Sequence, residues 1–209
     1  MAIFTDRAAA GRELARELAH WKGTDAVLFG IPRGGVVVAA EVARALGLPL
    51  DVAIVRKLGA PSREEYAIGA IADGVRIVDD AAVRSHGVSP EQLASVEDLE
   101  RAELARRARA FPRTSGGVAG RAVIVVDDGI ATGATAAAAC AALRAEGASR
   151  VALAAPVAPQ RWVPDPAVVD EYVCPHRIRD FWAVGQFYDD FSQTPDEEVE
   201  RLLARDLPT

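Results

Sequence analysis

Val123–Thr135, VIVVDDGIATGAT, decides the fold of this 209-residue chain. Its first four residues are all β-branched, the composition of a central parallel strand buried on both faces. We expect that strand over Arg121–Val126. Two adjacent acids, Asp127 and Asp128, then stand at its carboxyl end, where ligands bind in open parallel sheets. A turn of small residues follows (Gly129, Ala131, Thr132, Gly133, Ala134, Thr135). It leads into an alanine-rich helix expected to reach Glu146 and to stop at Gly147. Small residues let backbone N–H groups close on an anion, and the helix N-terminus adds unpaired donors and partial positive charge. Thr132 and Thr135 offer hydroxyls besides. A phosphate cradle therefore lies beside two acceptor carboxylates, and a ribose 5-phosphate suits that pairing. An Asp pair before a glycine also serves as an ordinary turn and cap, but the whole string is far more specific.

Upstream, Ala26–Phe29 reads as a short buried strand running into Gly30-Ile31-Pro32-Arg33-Gly34-Gly35 and then a helix that ends at Gly47 and Pro49. Asp51–Lys57 (DVAIVRK) reads as the second strand, completing a right-handed βαβ unit. Gly34 and Gly35 expose backbone N–H groups and Arg33 adds a fixed cation, which suits a pyrophosphate. Arg33 also fits an ordinary surface turn. A dinucleotide-binding turn would need G-x-G-x-x-G and an acid near the end of the second strand. The glycine pattern is missing, and that strand ends in Arg56-Lys57, which can both reach a pyrophosphate.

The remaining elements follow from periodicity and caps. Thr5 or Asp6 caps a first helix reaching about His20. Leu58–Asp73, with Gly, Pro, Ser and several charges, reads as a mobile loop, and Arg63, Glu64, Glu65 and Tyr66 are candidates within it. The stretch 67–80 reads as two short strands joined at Asp73-Gly74. Ser89, Pro90 and Gln92 form a capping box for a long charged helix to about Ala110. Strands are expected at Val151–Ala155 and Glu171–Cys174, and a last helix is capped by Thr194-Pro195-Asp196-Glu197. Alternating β and α segments point to an α/β fold, an open parallel sheet flanked by helices. One domain is expected over 1–209, with a core of about 1–160 and a hood and tail over about 161–209.

Composition narrows the function. The net charge is −6, which argues against a nucleic-acid partner held by bulk charge. Of 24 basic residues only Lys22 and Lys57 are lysines, so a lysine kept in a chain that otherwise uses arginine is notable. The two cysteines, Cys140 and Cys174, stand outside any metal-ligand spacing and suit a reduced, cytoplasmic setting. No apolar run reaches membrane-spanning length, and the N-terminal stretch carries charges throughout. His20, His86 and His176 form no evident catalytic or metal set.

The string VIVVDDGIATGAT resembles the binding motif for 5-phosphoribosyl-1-pyrophosphate (PRPP) of type I phosphoribosyltransferases. The likeness extends from about Ala26 to Asp189 and implies a type I phosphoribosyltransferase fold with a small C-terminal hood and a flexible loop. It implies that Asp127 and Asp128 hold the ribose hydroxyls and that Ala131, Thr132, Gly133, Ala134 and Thr135 hold the 5-phosphate. GIPRGG resembles the family's pyrophosphate loop, and Leu58–Asp73 its flexible catalytic loop. The stretch 181–191 (FWAVGQFYDDF) is similar to the hood of hypoxanthine-guanine phosphoribosyltransferases. By that match Trp182 stacks on the acceptor base and Asp189 contacts its edge; both also suit packing of the C-terminal core. The lysine that reads a purine carbonyl in those enzymes has no clear counterpart, and Ala155-Pro156-Val157-Ala158 stands there instead. The implied activity is transfer of the 5-phosphoribosyl group from PRPP to a nitrogenous base with release of pyrophosphate. Mg²⁺ would be held mainly by substrate oxygens and water rather than by a protein metal site. A homodimer agrees with the habit of the fold. The alternative is a non-catalytic PRPP- or nucleotide-binding regulator of nucleotide metabolism.

Overall fold

The computed structural model describes residues 2–61, 63–111 and 117–204, with Glu64 and Glu65 described by their backbone alone. Residues 205–209 of the expected tail, and the side chains of those two candidate acids, lie outside the described residues.

The central sheet has five strands, all parallel. They are β1 (Val27–Gly30), β2 (Leu50–Val52), β6 (Ala122–Val126), β7 (Arg150–Ala154) and β9 (Glu171–Val173), in the order β2-β1-β6-β7-β9. The remaining strands are β3 (Val55–Ala60), β4 (Arg63–Ala72), β5 (Val75–Val78), β8 (Val157–Pro159) and β10 (His176–Ile178). The helices are α1 (Arg7–Glu17), α2 (Gly34–Leu46), α3 (Asp80–Ser85), α4 (Pro90–Ala110), α5 (Ala134–Ala145) and α6 (Asp196–Ala204).

The branched run of β6 forms the middle of the sheet because both its faces are covered. Ile124 and Val126 pack with α1, α2 and α6, and Val123 and Val125 pack against α5 on the other side. Burying a Val or Ile side chain contributes roughly 1.5–3 kcal/mol before the entropy of ordering the chain is counted, so this strand anchors both layers. Asp6 caps α1 by accepting a hydrogen bond from the Ala9 amide at 2.6 Å. Ser89 and Gln92 make the expected capping box on α4. The Asp73-Gly74 turn joins β4 to β5, with Gly74 at φ 65°.

Two expectations are corrected. Asp51–Lys57 is not one strand: β2 ends at Val52 and pairs with β1, and β3 begins at Val55 and pairs antiparallel with β4. Leu58–Asp73 is not an irregular loop, because most of it is the β3–β4 hairpin, whose register shifts on either side of Gly59. Leu58, Ala60, Ile68 and Ile71 are buried there and form a small core with residues of α3 and α4. That burial outweighs the loop-like composition. A two-stranded parallel pair, β8 with β10, adds a structure the sequence reading did not contain.

Candidate functional site

The register of the sheet places the two glycine-bearing turns side by side. Gly30 at the end of β1 lies opposite Val126 at the end of β6. The chain crossing from β1 is tied to β6 where the Ile31 amide donates to the Val126 carbonyl at 2.9 Å. Both α2 and α5 therefore begin at the same sheet edge, each presenting first-turn N–H groups without intrahelical partners. The peptide bond between Pro32 and Arg33 in the first turn is cis.

Approach between the turns is close enough to require glycine. A Cβ on Gly34 would lie 1.9 Å from Oδ2 of Asp128, and one on Gly35 would lie 2.7 Å from the Val126 carbonyl oxygen. In the second turn Gly133 has φ 81°, and a Cβ there would stand 2.2 Å from Nε1 of Trp162. The Trp162 indole covers this turn and donates from Nε1 to the Thr132 carbonyl at 3.1 Å.

Adjacent residues at a strand end point to opposite sides, and the two acids divide accordingly. Asp127 lines a cavity of about 150 Å³ together with Lys57 and the whole turn from Gly129 to Thr135 except Ala134. Its Oδ1 accepts from the Asp128 amide at 2.9 Å. Burial, and then the neighbouring charge of Asp128, hold its carboxyl well above the usual carboxylate range. Asp128 faces away from that cavity, towards Gly34 and Arg7, and its Oδ2 accepts from Arg7 Nε at 2.7 Å. Burial raises this second carboxyl too, and the Arg7 guanidinium opposes the shift. The Tyr188 hydroxyl donates to the Asp128 carbonyl at 2.6 Å.

The other expected site residues are placed unevenly. Lys57, on β3, reaches the cavity of the phosphate-type turn, while its neighbour Arg56 donates to Glu100 of α4 at 2.6 Å. Arg33 ion-pairs with Asp196 of α6 at 3.4 Å. Ala134 and Thr135 open α5. In the hood, Val184 packs against the base of the turn, since a Cβ on Gly129 would meet it at 2.4 Å. Trp182 is 89% exposed, and its ring is left outside the C-terminal core. Asp189 is exposed, with its amide bonded to the Phe4 carbonyl. His176 pairs with Glu13 of α1 at 2.6 Å. Among the described residues no group of three or more His, Cys, Asp or Glu could hold a metal, and no helix is long and apolar enough to cross a membrane.

Two residues of this region were missed in the sequence. Trp162 gave no signal, because which helix turn it covers is settled only by folding. Arg7 gave a faint one: it opens α1, whose first turn has no acid, and a cation there opposes the helix dipole. That placement is explained by its partner Asp128, two residues past the end of β6.

Comparison with known proteins agrees with this fold. Residues 3–192 match the model of the phosphoribosyl transferase domain. Two Mycobacterium tuberculosis proteins named "Putative phosphoribosyl transferase" are each 48% identical over 98% of this chain and 47% of their own length. The chain thus spans about half the length of the curated relatives it matches. The protein TT1426 from Thermus thermophilus is 40% identical with a TM-score of 0.72, covering 100% of both chains. A Neisseria gonorrhoeae protein solved with bound ppGpp shares the fold at 14% identity and a TM-score of 0.53, over 98% of this chain and 97% of that one. With an open parallel sheet, two helix-opening turns at one edge, and a family match along nearly all its length, the chain belongs to the phosphoribosyl transferase domain family.

Proposed function

We propose that this chain binds PRPP at the shared edge of β1 and β6 and transfers its 5-phosphoribosyl group to a nitrogenous base, releasing pyrophosphate. The observation that carries the reading is the cavity joining Asp127, Lys57 and the turn that opens α5. The 5-phosphate lies on the amides and hydroxyls of Ala131–Thr135, and Asp127 and Asp128 each accept from a ribose hydroxyl. The pyrophosphate faces Gly34 and Gly35, with Arg33 and Lys57 to neutralise it and Arg56 at hand when it leaves Glu100. Trp182, its ring exposed, stacks on the acceptor, and Asp189 contacts the acceptor's edge.

The acceptor nitrogen forms its bond to C1 as the bond from C1 to the pyrophosphate oxygen breaks, and the electron pair leaves with the pyrophosphate. Positive charge then grows on the ribose ring and negative charge on the leaving group. The chain's work is to orient the reactants and place fixed charges against both. Mg²⁺ keeps several waters and uses few protein ligands, so substrate oxygens and water would hold it here. Bound with the substrate, the ion would neutralise pyrophosphate charge.

One observation favours a non-catalytic, PRPP- or nucleotide-binding regulator instead: Arg33 and Arg56, both assigned to the pyrophosphate, are held in ion pairs with Asp196 and Glu100. Calorimetric titration with Mg-PRPP, joined to a pyrophosphate-release assay over a panel of bases, decides between the two. The transferase reading expects binding, release with at least one base, and loss of both by more than about tenfold in Asp127→Asn, as for a removed charged hydrogen bond. Binding without release on any base would leave only the regulator. Absence of Mg-PRPP binding would reject the transferase and the PRPP-binding form of the regulator.

A further inference from the structure

We propose that Arg7 is a positioning residue of this site: its guanidinium sets the orientation of Asp128 and fastens the end of the hood, Phe191 and Ser192, to it. The inference rests on the reading that Asp128 receives a ribose hydroxyl.

Three contacts converge on one side chain. Nε donates to Asp128 Oδ2 at 2.7 Å, Nη1 donates to the Ser192 carbonyl at 2.8 Å, and the guanidinium carbon stands 4.0 Å from the centroid of the Phe191 ring. The pair is shielded, with side-chain exposures of 12% for Arg7 and 15% for Asp128. It also touches the other turn, since a Cβ on Gly34 would lie 2.5 Å from Arg7 Nε. One planar cation thus joins the first turn of α1, the chain just past the carboxyl end of β6, the first residue of α2 and the hood. Arginine alone can do this. Its rigid fork holds two acceptors at fixed directions while its face stacks on a ring, whereas a lysine offers one compact charge on a flexible stem.

The consequence for Asp128 is geometric and electrostatic. With Oδ2 taken by Arg7, the carboxylate has one set orientation, and Oδ1 is the oxygen left for a ligand. The groups that bear on its charge are Arg7 from α1, Asp127 beside it in the chain, and the Tyr188 hydroxyl from the hood. Arg33 precedes Gly34 in the facing loop, and Asp190 shares the surroundings of Arg7. Arg7 is the cation in direct contact. Without it the two neighbouring acids are left to repel one another in a shielded place, and Asp128 takes up a proton at higher pH.

The test measures Mg-PRPP affinity by calorimetry from pH 5.5 to 8.5. The proteins are the natural chain, Arg7→Gln, Arg7→Lys, Asp128→Asn and the Arg7→Gln/Asp128→Asn double variant, each with its thermal unfolding. Loss of the directing bond is expected to weaken affinity about tenfold to a hundredfold in Arg7→Gln. Its affinity should recover as pH rises, because ionising Asp128 now needs a higher pH. Arg7→Lys keeps the charge, folds, and should restore part of the affinity. In Asp128→Asn the further change Arg7→Gln should have little effect, since the group it orients has gone. If Arg7→Gln fails to fold, a lowered affinity of Arg7→Lys still supports the role, and natural affinity in Arg7→Lys overturns it. Natural affinity in a folded Arg7→Gln, beside a clear loss in Asp128→Asn, overturns the proposal for Arg7 and leaves the site standing. Natural affinity in Asp128→Asn, or a natural chain that does not bind Mg-PRPP, overturns the proposal together with the reading it rests on.

Discussion

Replacing Gly133 with alanine should destabilise the protein through one identifiable collision. Gly133 sits at φ 81°, in the left-handed region, which costs an L-residue roughly 1–2 kcal/mol. The new Cβ would also lie 2.2 Å from Nε1 and 2.3 Å from two carbons of the Trp162 ring. Carbon atoms settle at roughly 3.5–4.0 Å, so the indole must withdraw by about 1.5 Å. That movement breaks its hydrogen bond to the Thr132 carbonyl, a further loss of about 0.5–1.5 kcal/mol. The total is about 1.5–3.5 kcal/mol, which for a chain of this size lowers Tm by roughly 3–14 °C. Thermal unfolding followed by circular dichroism measures it directly. The argument is sharpest in a cycle with Trp162→Ala. In that background the collision and the lost bond are both absent, so Gly133→Ala should cost only the backbone part, about 1–2 kcal/mol. An equal cost in both backgrounds, or an unchanged Tm in the single variant, would refute the claim that the indole holds this turn closed from above.

Two further outcomes follow from buried titratable groups. Burial raises the Asp127 carboxyl, so above the unfolded value of about 3.9 the folded chain keeps a proton that the unfolded chain releases. Stability from this group is therefore present at low pH and lost as pH rises through the raised folded value. Asp127→Asn should unfold at a higher temperature than the natural chain at pH 7, by about 2–4 °C for each kcal/mol recovered, and the gap should close as pH falls towards 4. A gap that widened in acid would contradict the assignment. Burial pushes the Cys140 thiol up to about 12, so it should resist iodoacetamide at pH 8 in the folded protein and react once the chain is unfolded in urea. Mass spectrometry of the alkylated peptides reads this out.

What could be read in the sequence was local chemistry. The run of branched residues before Asp127 marked a strand covered on both faces, and the small residues after it marked a turn into a helix. Ser89, Pro90 and Gln92 encoded their cap within four residues. The errors arose where pairing is decided at a distance. Across Ala53 and Ile54 the residues stay apolar and strand-like, yet Val52 is claimed by β1 and Val55 by β4. The Gly, Pro and charges of 58–73 looked like a loop because the partner that buries Leu58, Ile68 and Ile71 lies on α3 and α4. At the site itself the motif gave the two acids but not their division. The pleat divides them, but the partner that fixes Asp128, Arg7, lies 121 residues away along the chain, and no spacing rule connects Trp162 to the turn it covers.

The pleat at the end of β6 makes the order of its last residues a working part of the molecule. A deletion of one residue within Ala122–Val126, with the sheet pairing kept at its start, would exchange the sides on which the two carboxylates emerge. Composition, net charge and the apolar content of the core would hardly change. Yet one acid would then be turned from Lys57 towards a guanidinium, and the other from that guanidinium into the small cavity. Length here is under the same constraint as chemical identity, and such a chain would keep its fold while losing the geometry that gives each acid its separate task.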